Sequence, residues 1–256
     1  MRKSVTGLML GVAVAAMTLA AAPSAAFDAK QKGEIEQLIK DYLIRNPEVI
    51  QEALIELDRR QRDAEMAARQ KMLKDEAPAL YSSKFNAVIG NPSGDVTLVE
   101  FFDYNCGFCK RAVADLERLM KEDPKLKIVL KDLPILSAAS RDAAAVALAV
   151  KAIAKPDKFW EFHTKLMART GQIGKAQALE VALAVGIDKA RLEEEMGKLD
   201  LVKQAFEESR KLADGLAMTG TPAYVLADEV VVGAVGYAQL KARIDNVRKC
   251  GKNQCE

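Results

Sequence analysis

Two hydrophobic periods alternate along this chain, and the places where one gives way to the other divide it. Ile35, Leu38, Ile39, Tyr42 and Leu43 follow an i, i+3, i+4, i+7, i+8 spacing, which predicts a helix with one apolar stripe. Asn46-Pro47 interrupts it. Asn is a favoured N-cap and Pro a favoured first helical residue, so a second helix is expected there, with Ile50, Ala53, Leu54 and Leu57 on one face. Beyond Asp58 the stripe thins to Ala64, Ala68 and Met72, and 11 of the 19 residues from Asp58 to Glu76 are charged. So charged a helix is expected to pack only weakly on a globular domain. It reads as a stalk carrying a self-association element or as a solvated leader, with Pro78 ending it.

The period then shortens. Phe85 to Ile89 reads as a short strand, residues 90–95 are dense in turn formers, and Val96 to Phe102 is an apolar run suited to a buried strand. Lys110 to Met120 returns to helical spacing through Val113, Leu116 and Met120. Asp123-Pro124 breaks it, and Leu126 to Lys131 makes another strand, ended by Pro134. Strand, helix, strand predicts a parallel β-α-β unit. Residues 137–217 read as helical throughout: an alanine-rich helix over Ala143–Ile153, one opened by Pro156-Asp157, one from Ala176 to Val185 closed by Gly186, and one capped by Asp188. Ala223 to Leu226 and Val230 to Gly233 then form a predicted hairpin. Tyr237 to Lys249 closes the chain as an amphipathic helix with Leu240, Ile244 and Val247 inward.

Chemistry enters at the strand-to-helix junction, where Cys106-Gly107-Phe108-Cys109 follows the strand ending at Phe102. Free N–H groups at a helix start favour an anion, so a thiolate is stabilised there. That can bring a cysteine pKa from about 8.5 into roughly the 3.5–7.5 range. Cys106 is thus the expected nucleophile. Cys109, one turn on, is placed to resolve a mixed disulfide or close an internal one. Half of a zinc site is the alternative, but it needs two more ligands. His163 is the only histidine, and the other two cysteines lie near the C-terminus. No metal or cofactor is therefore expected. His163 itself sits among aromatic residues on a predicted helix, as a ligand, a general base or, more commonly for a lone helical histidine, a structural or surface residue.

Composition narrows the setting. Arg2 and Lys3, the apolar run Gly7–Ala22 and the small residues Ser24-Ala25-Ala26 have the make-up of a cleavable signal peptide over residues 1–26. An uncleaved anchor is the alternative, though the run is barely long enough to span and rich in alanine. The expected location is the periplasm. Without Arg2 and Lys3, the 38 basic residues fall to 36 against 36 acidic ones, and a neutral chain is not suited to nucleic acid. Four cysteines in an exported protein point to disulfide chemistry. For Cys250 and Cys255, on a flexible tether, a local disulfide, a second redox pair and a soft-metal site for Cu(I) all stay open.

The order β-α-β, helical block, β-β-α, with C-x-x-C opening the first helix, resembles a thioredoxin fold with the helical insertion of the DsbA-like branch. Glu100, six residues before Cys106, resembles that branch's buried glutamate, and Thr219-Gly220-Thr221-Pro222 resembles its cis-proline loop. The resemblance implies three roles. Glu100 would be a buried base for the Cys109 proton, Pro222 would follow a cis bond, and the Thr221 backbone would pair with an extended substrate. Lys131 is a further candidate, as a cross-strand partner of Glu100. Helices over 28–76 ahead of such a domain resemble the oligomeric suppressor-of-copper-sensitivity C proteins and Com1-type surface antigens. That implies a homo-oligomer, with a trimer favoured, acting on exported proteins with thiols or non-native disulfides and kept reduced by a membrane electron-transfer partner. Gly107-Phe108 stands where the better-known oxidases have Pro-His, which implies a less oxidising couple. The expected organisation is a signal peptide over 1–26, a helical oligomerisation stalk over 27–78 and a DsbA-like α/β domain over 79–256, its insertion spanning about 137–217. The competing function is a copper-binding or holdase-type envelope protein using the cysteines as a clamp.

Overall fold

A computed structural model describes residues 27–255, so the expected signal peptide lies outside the described residues. The chain divides into two compact units between Arg60 and Gln61. The first contains helix α1 (Ala29–Arg45) and the start of α2 (Glu48–Asp75). Asp28 and Gln31 form a reciprocal capping box at the start of α1. Asn46 does not cap α2 as expected. Its side-chain amide donates to the Tyr42 carbonyl at 2.8 Å and closes α1 instead. No residue of α1 is buried, and Leu38, Ile39, Tyr42, Ile50, Leu54 and Leu57 are all exposed.

The second unit is built on a five-stranded sheet in the order β1-β3-β2-β4-β5, with β1 Ala87–Gly90, β2 Val96–Phe102, β3 Leu126–Asp132, β4 Ala223–Leu226 and β5 Glu229–Val232. Helix α4 (Gly107–Glu122) crosses from β2 to β3, which pair in parallel; the other pairings are antiparallel. Between β3 and β4 come α5 (Ala138–Ile153), α6 (Pro156–Met167), α7 (Lys175–Ala184), α8 (Lys189–Met196) and α9 (Leu199–Gly215), and α10 (Tyr237–Cys250) closes the fold. Ser137 and Asp188 cap α5 and α8 through their side chains. This is a thioredoxin-type α/β fold with a helical insertion.

Strand alternation sorts the core into two layers. Leu98, Phe102, Ile128, Leu130, Tyr224 and Leu226 share one layer with Leu116 of α4 and Leu240 and Ile244 of α10. Val99, Phe101, Val129, Ala223 and Val225 share the other with Leu212 and Leu216. Three expectations fail on this second side of the sheet. Leu73 is buried there and Met72 packs against it, so the charged helix α2 does seat its last turns in the core. Met72 occupies the space that a Cβ on Gly215 would need. Pro78 does not simply end the segment either, but starts a short helix α3 (Ala77–Tyr81) that buries Leu80. Lys131 is also turned to this side, away from Glu100. Its Nζ lies 2.7 Å from Glu208 Oε1, 2.6 Å from Asn86 Oδ1 and 2.9 Å from the Ala79 carbonyl.

Candidate active site

The loop between β2 and α4 is fixed before the cysteines begin. Asp103 Oδ1 accepts the Asn105 N–H at 2.8 Å, its Oδ2 accepts the Leu136 N–H at 3.1 Å, and its carbonyl accepts the Cys106 N–H at 3.0 Å. Asn105 then ties the loop to the insertion. Its amide donates to the Ile173 carbonyl at 2.8 Å and to Ser140 Oγ at 3.1 Å, while its Oδ1 accepts the Ile173 N–H at 2.7 Å. Lys110 Nζ adds a bond to the Arg169 carbonyl at 2.5 Å. Sequence reading assigned no role to Asp103 or Asn105. Short polar side chains just ahead of a helix start were the available signal.

Cys106 is the N-cap of α4, with extended backbone, and its Sγ accepts the Cys109 N–H at 3.3 Å. Its pKa is brought down to about 5. The Cys109 thiol is the largest cause, burial opposes it, and Thr221 and the backbone N–H groups of Cys109 and Phe108 assist. The Thr221 carbonyl lies 3.1 Å from the sulfur and accepts from it in the thiol form. Thr221-Pro222 is a cis peptide.

Cys109 is buried, and its thiol is held far above the usual range by desolvation, by its bond to Cys106 and by the Glu100 charge. Glu100 is 2% exposed and pushed up to about 8. Burial is the main cause; a hydrogen bond from Tyr224 pulls it back, and the charges of Cys106 and Asp115 push it further up. The five candidate residues therefore meet at one end of the sheet: Cys106, Cys109 and Glu100 are linked electrostatically, and the Thr221-Pro222 turn touches Cys106.

His163 is buried among Phe102, Phe159 and Trp160, stacks on Trp160 with ring centroids 5.3 Å apart, and lies 3.2 Å from the Tyr104 hydroxyl. Burial brings its pKa down to about 3, so it is a neutral packing residue beneath the active-site loop. Around the cysteines, Phe108 is exposed with the Arg111 guanidinium 4.4 Å over its ring, and Ile135 and Leu136 are exposed nearby in sequence to the Asp103 contact. Cys250 and Cys255 are joined in a disulfide, as the local-tether alternative expects. The loop it closes inserts Asn253 against Asp228 in the β4–β5 turn, the Asn253 N–H donating to Asp228 Oδ1 at 3.1 Å. Among the described residues, no group of three or more His, Cys, Asp and Glu is arranged to hold a metal ion.

The model of the DSBA-like thioredoxin domain matches residues 97–245, from β2 into α10. The chain belongs to that family. Ahead of it, residues 31–64 match the N-terminal domain of the copper resistance protein ScsC. Disulfide bond formation protein D of Bacillus subtilis is 29% identical over 180 residues, covering 66% of this chain and 79% of that protein. A thioredoxin-like oxidoreductase of Silicibacter pomeroyi is 38% identical with a TM-score of 0.63, over 68% of this chain and 98% of that structure. ScsC of Proteus mirabilis is 30% identical with a TM-score of 0.63, over 86% of this chain and 96% of that structure. The chain spans only 24% and 21% of the two Na(+)/H(+) antiporter NhaA proteins of Salinispora that it also matches. Among the described residues, no helix is long and apolar enough to cross a membrane.

Proposed function

We propose that this DSBA-like chain is a periplasmic thiol-disulfide oxidoreductase, acting mainly as a disulfide isomerase or reductase on exported proteins. The observation that carries the reading is the Cys106 sulfur at the N-cap of α4, accepting the Cys109 N–H at 3.3 Å beside the buried Cys109 side chain, where its pKa is brought down to about 5. The Cys106 thiolate attacks a substrate disulfide and forms a mixed disulfide. In isomerisation, another substrate thiol releases it. In reduction, the Cys109 sulfur attacks Cys106, its proton passes to the Glu100 carboxylate, and the substrate leaves as a thiolate. The Thr221 backbone, beside Cys106, pairs with the extended substrate segment.

Two features favour isomerase or reductase over oxidase. Gly107-Phe108 supplies no imidazolium to stabilise the reduced form further. In the first unit, exposed Leu38, Ile39, Tyr42, Leu54 and Leu57 offer an apolar stripe for self-association. Several active sites held together raise the local thiol concentration around an unfolded substrate. The segment over 27–78 accordingly serves as a trimerising stalk, the domain over 79–256 as the catalytic body, and residues 1–26 as the export signal. A membrane electron-transfer partner keeps the pair reduced. The test is regain of activity by a scrambled multi-disulfide protein. The parent chain is expected to catalyse it and Cys106→Ala to lose it; equal rates with and without Cys106 overturn the reading.

The ScsC match supports a second reading, since that family's name speaks of copper resistance and two thiolates suit Cu(I). Tight one-to-one Cu(I) binding without any thiol-exchange turnover would favour it.

A further inference from the structure

The reaction above leaves unexplained how a carboxyl so deeply buried stays available as a base. Glu100 lies in the C-terminal half of β2, with Leu130 of β3 opposite it on one side and Tyr224 of β4 opposite it on the other. Leu130 offers only hydrocarbon. Tyr224 is 1% exposed, sits in the same core layer as Cys106 and Cys109, and is the direct cross-strand neighbour of Glu100 on that face of the sheet. We propose that Tyr224 is a positioning residue for the thiol-disulfide reaction: its hydroxyl donates to the Glu100 carboxylate and keeps it aimed at the Cys109 thiol.

The inference rests on the oxidoreductase reading and deepens it. The groups that act on Glu100 are Cys106 at the N-cap of α4, Cys109 and Asp115 of α4, and Tyr224 of β4. The first three carry or develop negative charge, so each disfavours the carboxylate. Tyr224 acts the other way. Burial and the neighbouring Glu100 hold its own hydroxyl well above the ordinary phenol range, so it stays a donor and does not compete for the proton. In the resolving step Cys109 gives its proton to Glu100, the Cys109–Cys106 disulfide forms, and the bond between Cys106 and the substrate sulfur breaks. The substrate sulfur takes the electron pair and is later protonated by solvent. Tyr224 keeps its proton throughout. What it contributes is the carboxylate's population and direction at neutral pH.

The test uses the full mature chain with a small disulfide peptide, so that the two half-steps are followed separately by rapid mixing across pH. Tyr224→Phe removes one oxygen and keeps the buried ring. It is expected to raise the pH midpoint of the Cys109-dependent resolving step by about one unit, slowing that step on the order of tenfold at pH 7. Formation of the mixed disulfide at Cys106 is expected to keep the parent's pH profile. Incorporating 3-fluorotyrosine at position 224, a stronger donor, is expected to move the resolving midpoint down, and Glu100→Gln to remove it. An unchanged midpoint in Tyr224→Phe, or no opposite shift with the fluorinated ring, overturns the role of Tyr224. Absence of any mixed disulfide in the parent overturns the oxidoreductase reading instead. If Tyr224→Phe fails to fold, the fluorotyrosine chain and a carbon-13 titration of Glu100 in it decide the matter alone.

Discussion

Cys109→Ala isolates what the buried thiol does for its neighbour. In the parent, Cys106 titrates at about 5, with the Cys109 side chain as the largest stabiliser of the thiolate. Alanine removes that donor but leaves the backbone N–H at position 109, 3.3 Å from Sγ, in place. A hydrogen bond to a charged acceptor contributes about 1.5–3 kcal/mol, and a thiol is a weak donor, so the lower end applies. At 1.36 kcal/mol per unit the Cys106 midpoint should rise by about one unit. At pH 5.5 the thiolate fraction then falls from about three quarters to about one quarter, a roughly threefold slower alkylation by iodoacetamide. The assay is the pH profile of alkylation between pH 3 and 9, read by mass spectrometry. Cys109→Ser keeps a hydroxyl donor and should stay near the parent. The same Cys109→Ala chain should accumulate mixed disulfides with substrate proteins, whereas Cys106→Ala should not. A midpoint in Cys109→Ala at or below the parent's, or equal trapping by both alanine variants, would refute the reasoning.

Other consequences follow from the same geometry. Asn105→Ala removes three hydrogen bonds between the active-site loop and the insertion and should cost about 1–3 kcal/mol in chemical denaturation. Buried His163 has a depressed pKa, so its neutral form stabilises the fold above the unfolded value of 6.5; stability should fall by about 1.4 kcal/mol per pH unit as pH drops from 6.5 towards 3. Denaturation curves for the parent at pH 7 and pH 5 should show that loss, and His163→Gln should not. Leu73→Ala should destabilise the second unit by about 2–5 kcal/mol, whereas Leu54→Ala, on an exposed position, should leave its melting unchanged and weaken self-association in sedimentation.

The sheet and its crossover were legible because β2, β3 and β4 are short apolar runs bounded by turn formers, a pattern that local reading handles well. The bounds of β2 agree with the expected Val96 to Phe102, and β3 is extended by one residue. The placement of Cys106 was legible for a different reason: a helix-start cysteine is a local feature with a local cause. What escaped depends on distant partners. Asn105 acts on Ile173, 68 residues away, and Lys131 finds Glu208 across 77 residues. Parity within β3 turns Lys131 away from Glu100 once the register pairs Glu100 with Leu130, against the expected partnership. The register itself was not in the sequence. Met72 was read only as the tail of a thinning stripe and Leu73 not at all, because two apolar residues in a charged helix carry little periodicity, yet Gly215 leaves the space that Met72 fills. Asn46 suits a helix start by type, but here the Tyr42 carbonyl takes its amide.

The proposed direction of electron flow is tested most directly by the redox state of Cys106 and Cys109 in cells expressing the chain at its native level. Acid quenching, thiol labelling with a mass tag and electrophoresis separate the two forms. An isomerase or reductase maintained by a membrane electron donor should be found mostly reduced, and should shift to the oxidised form when that donor is removed. A pair found mostly oxidised in the unperturbed cell would contradict the account and make the chain an oxidase.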